Sequence, residues 1–124
     1  VEEHKKGGRL AFDPTKIEFY LDDGQKGGKY IVGHKLRKEL ADKPVMNANV
    51  LDFLLANPDP IPEDWKTDGA GNPRYIFFWG TVYRDRDGNL YVRYLYWNGG
   101  RWHWSSHWLD YDFNDHCPAL LRAS

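Results

Sequence analysis

The sequence predicts an α+β fold: an antiparallel β-meander of three or more strands packed on short N-terminal helices. Two turn signals carry that prediction. Asp87-Gly88 and Asn98-Gly99-Gly100 each lie between segments rich in aromatic and β-branched residues. A third observation is the helical spacing of Leu51, Leu54 and Leu55, which confines the helical pattern to the N-terminal half. A chain of 124 residues suits one domain. Residues 1–11 are expected to form a flexible N-terminal segment and residues 12–124 a single α+β domain.

The elements follow in order. After the Asp13-Pro14 turn, Ile17, Phe19 and Leu21 alternate with Glu18 and Tyr20, the pattern of a half-buried strand. A helical turn through Ile17, Tyr20 and Leu21 is the competing reading. Asp22 to Gly28 is a polar connection, and Tyr30 to Val32 a brief partner strand. Leu36 and Leu40 share one face of a helix over 35–41, which Pro44 terminates. Asn47 or Asn49 caps a second helix that carries Leu51, Leu54 and Leu55. Asn57-Pro58 stops it. Pro60 and Pro62 extend the chain so that Ile61 and Trp65 return to the core, and Thr67 to Pro73 forms a loop. Three meander strands then run over 75–83, 90–97 and 101–109, followed by an acidic turn at 110–117.

Register decides the faces of the meander. A two-residue Asn98-Gly99 loop sets Trp102, Trp104 and Trp108 beside Tyr91, Arg93, Leu95 and Trp97. A three-residue loop sets them beside Leu90, Val92, Tyr94 and Tyr96. The second choice makes one nearly all-apolar face and is preferred. Leu36, Leu40, Leu51, Leu54, Leu55, Phe78, Val82, Val92, Trp102 and Trp104 are then the expected core.

Composition limits the functions. Hydrophobic residues at 41% and charged residues at 28% are globular values. A net charge of −1 gives no general attraction for nucleic acid or anionic membrane, so nucleic acid is disfavoured as a partner. No apolar run approaches about 18 residues, so no membrane span is expected. The first ten residues lack the apolar stretch of a secretory signal, and Cys117 is the only cysteine. A cytoplasmic location is the expectation.

Three blocks of sequence carry a resemblance. Residues 33–40 read GHKLRKEL; residues 47–58 read NANVLDFLLANP, followed by IPEDW at 61–65. Residues 77–84 read FFWGTVYR, followed by Val92-Arg93, Leu95-Tyr96-Trp97, Trp102, Trp104 and Trp108-Leu109. Over roughly residues 12–113 the chain resembles a family of short bacterial proteins usually described only as hypothetical. The resemblance implies a bacterial single-domain protein and no catalytic or binding residues.

The candidate binding face combines stacking surfaces with cations. In the preferred register Tyr91, Arg93, Trp97, Arg101, His103 and His107 share the outward side of the meander. Tyr, Trp and Arg concentrate at interfaces, so a non-enzymatic interaction module is the leading reading. Its partner is another protein or a second copy in a homodimer, with a small ligand as a further option. Two alternatives stand beside it. One is a small metal-dependent hydrolase centred on His103, His107, Asp110 and Asp112. On a strand the two histidines lie roughly 13 Å apart, too far to share an ion. Asp110, Asp112, Asp115, His116 and Cys117 are the densest set of potential ligands, and Cys117 beside His116 is a conceivable nucleophile. A solvated acidic turn and an inert thiol are the plainer readings of that set. The other alternative is a single-stranded nucleic-acid binder using the same aromatic face. No sequence motif points to a cofactor.

Overall fold

The computed structural model describes residues 3–4, 16–68 and 71–122. Nine strands and two α-helices are ordered in the chain as β1 (Glu3–His4), β2 (Ile17–Tyr20), β3 (Ile31–Val32), α1 (Gly33–Glu39), α2 (Ala48–Ala56), β4 (Ile76–Phe77), β5 (Thr81–Arg84), β6 (Leu90–Asn98), β7 (Arg101–Trp108), β8 (Asp112–Phe113) and β9 (Ala119–Arg122) among the described residues. Seven strands form one mixed, strongly curled, mostly antiparallel sheet, a half-barrel. The remaining two, β3 and β8, make a separate small sheet. Within the segment expected to be flexible, Glu3–His4 pairs with Val82 and Thr81 on β5, while residues 1–2 and 5–15 lie outside the described residues.

Strand β6 is the axis of the large sheet. It pairs with β7 along one edge and with both β4 and β5 along the other. The expected continuous strand over 75–83 is therefore broken. Ile76 and Phe77 face Leu95 and Tyr94, whereas Tyr83 and Arg84 face Tyr91 and Leu90. Phe78, Trp79 and Gly80 bulge out between the two pairings. The cause is tertiary. The Gly80 N–H donates to the carbonyl of Met46 at 2.8 Å. A Cβ on Gly80 would lie 2.7 Å from that carbonyl oxygen and 2.8 Å from the Asn47 backbone. Next to it, the Thr81 hydroxyl accepts from the Ala48 N–H at 3.0 Å, and the Asn47 side chain accepts from the N–H groups of Asn49 and Val50. The bulge thus grips the first turn of α2, and Asn47 is the cap.

Beyond the bulge β4 runs parallel to β9, which pairs antiparallel with β2. Strand β9 is absent from the sequence expectation; Ala119, Leu120 and Leu121 lie between β4 and the edge strand β2 and are all buried. The acidic turn at 110–117 also contains structure, since Asp112 and Phe113 pair with Val32 and Ile31.

Both faces of the sheet are covered, which corrects the expectation that both helices pack on one. Leu36 of α1, Leu40 at its C-cap, Ile31 of β3 and Phe113 of β8 pack with Phe77, Trp79, Val82, Val92 and Leu121. On the other face, Val50, Leu51 and Leu54 of α2 pack with Ile61, Trp65, Ile76, Phe78, Leu95 and Leu120. Adjacent residues such as Ile76 and Phe77 enter opposite cores, so these strands read as unbroken apolar runs. Helix α1 begins against the turn after β7. The N–H groups of Gly33 and His34 donate to the carbonyls of Tyr111 and Leu109, and Gly33 lies too close to Leu109 and Phe113 for a Cβ.

The preferred hairpin register is also overturned. The loop is two residues, Gly99-Gly100, both with φ near +62° and +83°, and Asn98 faces Arg101. Two successive left-handed residues make the turn whose twist matches the strands. Gathering all apolar side chains on one face offered no advantage, because each face has its own cover. Trp104 is accordingly 51% exposed instead of buried, and Trp102 and Leu55 are only partly buried.

Two substitutions test this architecture. Gly80→Ala is expected to lower the unfolding free energy by about 2 kcal/mol or more through overpacking, and Asn47→Ala by about 1 kcal/mol through loss of the cap. Urea denaturation measures both. A Gly80→Ala protein as stable as the parent would show that the bulge is not pinned by Met46 and Asn47.

Candidate functional site

The observed register divides the six residues singled out from sequence. Tyr91, Arg93 and Trp97 lie on the α2 side of the hairpin, and Arg101, His103 and His107 on the α1 side. They do not form one surface.

On the α2 side the strands build a graded aromatic row. The rings of Tyr83 and Tyr91 stack with centroids 5.2 Å apart, and Trp108 meets Tyr91 edge-on at 5.4 Å. Arg93 follows. Its guanidinium carbon lies 4.1 Å from the centre of the Trp104 ring, Nη2 is 3.3 Å from an Asp52 carboxylate oxygen, and Nη1 donates to the Tyr83 hydroxyl at 3.4 Å. Its Nε is buried without an acceptor. At the hairpin tip Trp97 and Trp102 meet edge to face at 5.4 Å, with the Lys66 ammonium 3.7 Å above the Trp97 ring. Cation and ring hold one another in place, so these large side chains are presented in fixed poses. Sequence reading missed Trp104, Trp108 and Tyr83 as members of this row. The two glycines at 99 and 100 were the signal that could have placed the tryptophans there.

Trp97 and Arg101 do share one feature. Together with Leu55, Ile61, Lys66 and Trp102 they line a cleft of about 510 Å³ at the hairpin tip.

The α1 side is aromatic but closed in on itself. His103 stacks on Tyr96 at 5.5 Å, with Nε2 at 3.0 Å from the Asn98 carbonyl oxygen. His107 meets Phe113 edge-on at 4.6 Å, with Nε2 at 3.0 Å from the Asp112 carbonyl oxygen. Asp110 instead lies 2.7 Å from Nε2 of His34. Of the four groups of the hydrolase reading, His103, His107 and Asp110 therefore engage three different partners, and no group of three His, Cys, Asp or Glu side chains among the described residues could hold a metal ion.

Cys117 is a poor nucleophile. Burial pushes its thiol up from 9.0 to about 11 against the opposing hydrogen bond from Asn114. The His116 ring lies between two carboxylates, Nδ1 3.7 Å from Asp68 and Nε2 3.7 Å from Asp115, both beyond hydrogen-bond reach.

The edge of β7 is open. In an antiparallel ladder, alternate residues direct their backbone groups to alternate sides. The Arg93 carbonyl accepts from Phe78 on the β4 side, and the Leu90 carbonyl from Leu109 on the β7 side. Even-numbered β6 residues therefore face β7, pairing with Arg101, His103, Ser105 and His107. Trp102, Trp104 and Ser106 turn their N–H and C=O groups away from the sheet. Among the described residues nothing hydrogen-bonds to that row.

A second cleft, of about 380 Å³, lies on the α1 side. It is lined by Glu3, His34, Arg37, Lys38, Leu40, Ala41, Val45 and Trp79. Trp79 is 3% exposed, and its indole Nε1 is buried with no acceptor. Such an orphaned donor costs about 1–3 kcal/mol. Nothing in the local sequence pattern marks this cleft, because Trp79 meets α1 across some 40 residues of chain.

No family model, no curated protein and no solved structure matches this chain.

Titration of two groups gives a test. Cys117 is raised to about 11, and Tyr20 from 10.0 to about 12 by burial and then by its hydrogen bond to Asp22. Both folded-state values lie above the ordinary ones, so the fold favours the protonated forms. Their stabilisation is complete below about pH 9 and is lost as pH rises through about 11 to 12. The urea midpoint should fall across that window, and less steeply in Tyr20→Phe. At about pH 8 the thiol should react with Ellman's reagent about a hundredfold more slowly than an ordinary thiol. Rapid labelling of folded protein would contradict the burial argument.

Proposed function

We propose that this protein is a non-enzymatic interaction module that associates with a second copy of itself by strand addition at β7. The observation that carries the reading is Trp104. This half-exposed indole is fixed over Arg93 on an edge strand whose outward backbone row has no described partner. Edge strands are commonly blunted by Pro, Lys, a bulge or a covering element. Strand β7 carries no Pro and no Lys, its eight residues pair with β6 without a bulge, and Arg101 is its only fixed charge.

A second copy fits this edge by symmetry. Two antiparallel strands related by a two-fold axis normal to the sheet keep the same face outward, so outward residues meet outward residues. Centred on Trp104, the pairing sets that residue opposite its own counterpart and Trp102 opposite Ser106. The indoles then continue across the junction on one face, beside the Tyr83, Tyr91 and Trp108 cluster. Aromatic residues and arginine are the side chains that contribute most at interface centres.

The other readings have less support. The potential metal ligands diverge, and Arg93, the central cation of the aromatic row, is already engaged by Asp52. Binding of single-stranded nucleic acid would need free cations beside the rings.

Sedimentation velocity on the parent chain is expected to show a dimer at micromolar concentration. Ser106→Pro removes an outward N–H and leaves the β6–β7 ladder intact. It should give a folded monomer with an unchanged far-ultraviolet spectrum. Trp104→Lys should weaken association by about tenfold or more. A parent chain that stays monomeric, or a Ser106→Pro protein that remains dimeric, would refute the edge-to-edge assembly.

A further inference from the structure

We infer that Arg101 of one copy docks on an acidic, aromatic corner of the second, formed by His107, Tyr111 and Asp112, and that this contact sets the register of the β7–β7 junction. The inference rests on the self-association proposed above and names the residues that specify it. Arg101 is exposed and is the one fixed charge on the edge strand. Among the described residues its guanidinium has no ion pair or side-chain hydrogen bond, although Asp59 and Glu63 line the same cleft. Glu63 is taken by Lys66 at 2.8 Å. A lone charge on a self-pairing edge opposes association unless the second copy supplies its counter-charge.

The antiparallel geometry brings that counter-charge to it. Pairing centred on Trp104 sets Arg101 opposite His107 of the second copy, on the same α1 side of the sheet. Opposite residues in such a ladder have Cβ atoms about 4.5–5.5 Å apart, a gap that an arginine side chain spans. Around His107 the corner is already built. Its Nε2 lies 3.0 Å from the Asp112 carbonyl oxygen, and its ring centroid 5.8 Å from that of Tyr111. Tyr111 is 57% exposed, a ring open to a cation. Asp112 is exposed, and among the described residues its carboxylate has no partner; Asp110 beside it is held by His34 at 2.7 Å. Neighbouring registers lack this match. Shifted one way, Arg101 meets the uncharged Ser105. Shifted the other way, it meets Leu109, whose backbone is covered by Gly33. Each strand thus has its cation at one end and free acid past the other, and a two-fold axis joins unlike ends twice.

Charge reversal in the full chain, read by sedimentation velocity, tests the contact. Arg101→Glu sets two acids together at both ends of the junction, and Asp112→Arg sets two cations together. Each should weaken dimerisation by about tenfold or more, with unchanged far-ultraviolet spectra because both side chains are exposed. An equimolar mixture of the two variants should recover most of the parent affinity as a heterodimer, since both ends then pair unlike charges. Arg101→Glu/Asp112→Arg in one chain should recover it as a homodimer. A merely local role for either residue predicts neither rescue. A monomeric parent chain would overturn the edge pairing and this contact together. A dimeric parent whose affinity neither reversal changes, or a mixture no tighter than the single variants, would overturn the Arg101 contact alone.

Discussion

The close approach of Gly80 to Met46 and Asn47 is the constraint on which the rest of the fold depends. Only a residue without a side chain fits there, and its N–H fixes the chain at the entry to α2. Because the strand must swerve to make this contact, β6 has two partners along a single edge. The upper partner, β5, carries Val82 and Tyr83; the lower one, β4, leads to β9 and β2. The sheet therefore branches and curls, and each of its faces acquires a separate core. Adjacent polar groups reinforce the junction: Thr81 holds the first turn of α2, and His4 Nδ1 lies 2.7 Å from the same hydroxyl.

From the junction the chemistry of both surfaces follows. Helix α2 is set so that Asp52 reaches Arg93, which in turn orients Trp104. Helix α1 is set against the opposite face by the carbonyls of Leu109 and Tyr111, so that Arg37 and Lys38 come beside Trp79. The aromatic residues, 16% of the chain, are distributed over both cores and both surfaces, and most touch another ring or a cation.

Much of the local structure was legible. The alternation at Ile17 and Phe19, the Asn47 cap, the prolines that return Ile61 and Trp65, and the two glycine turns all announce themselves, because their causes lie within a few residues. The break after Phe77 did not, since its cause is a contact with Met46 more than 30 residues away. Strand β9 did not either; Ala119 to Leu121 is too short for any periodicity to show. The hairpin parity was misjudged through the assumption that a small sheet buries one face. That error divided the proposed binding face, leaving Arg93 and Trp97 on one side and His103 and His107 on the other.

The position of β9 has a consequence for how the molecule is made. Ile17 pairs with Arg122, and Phe77 with Ala119, so this flank of the sheet joins regions far apart along the chain. Contacts of such long separation slow folding, because ordering must precede the reward. On the ribosome, the first hairpins can close early, yet β2 and β4 wait with exposed edges until residues 119–122 leave the exit tunnel. Of the described strands β9 is the last to be synthesised, and the nascent chain is vulnerable to mispairing until it arrives.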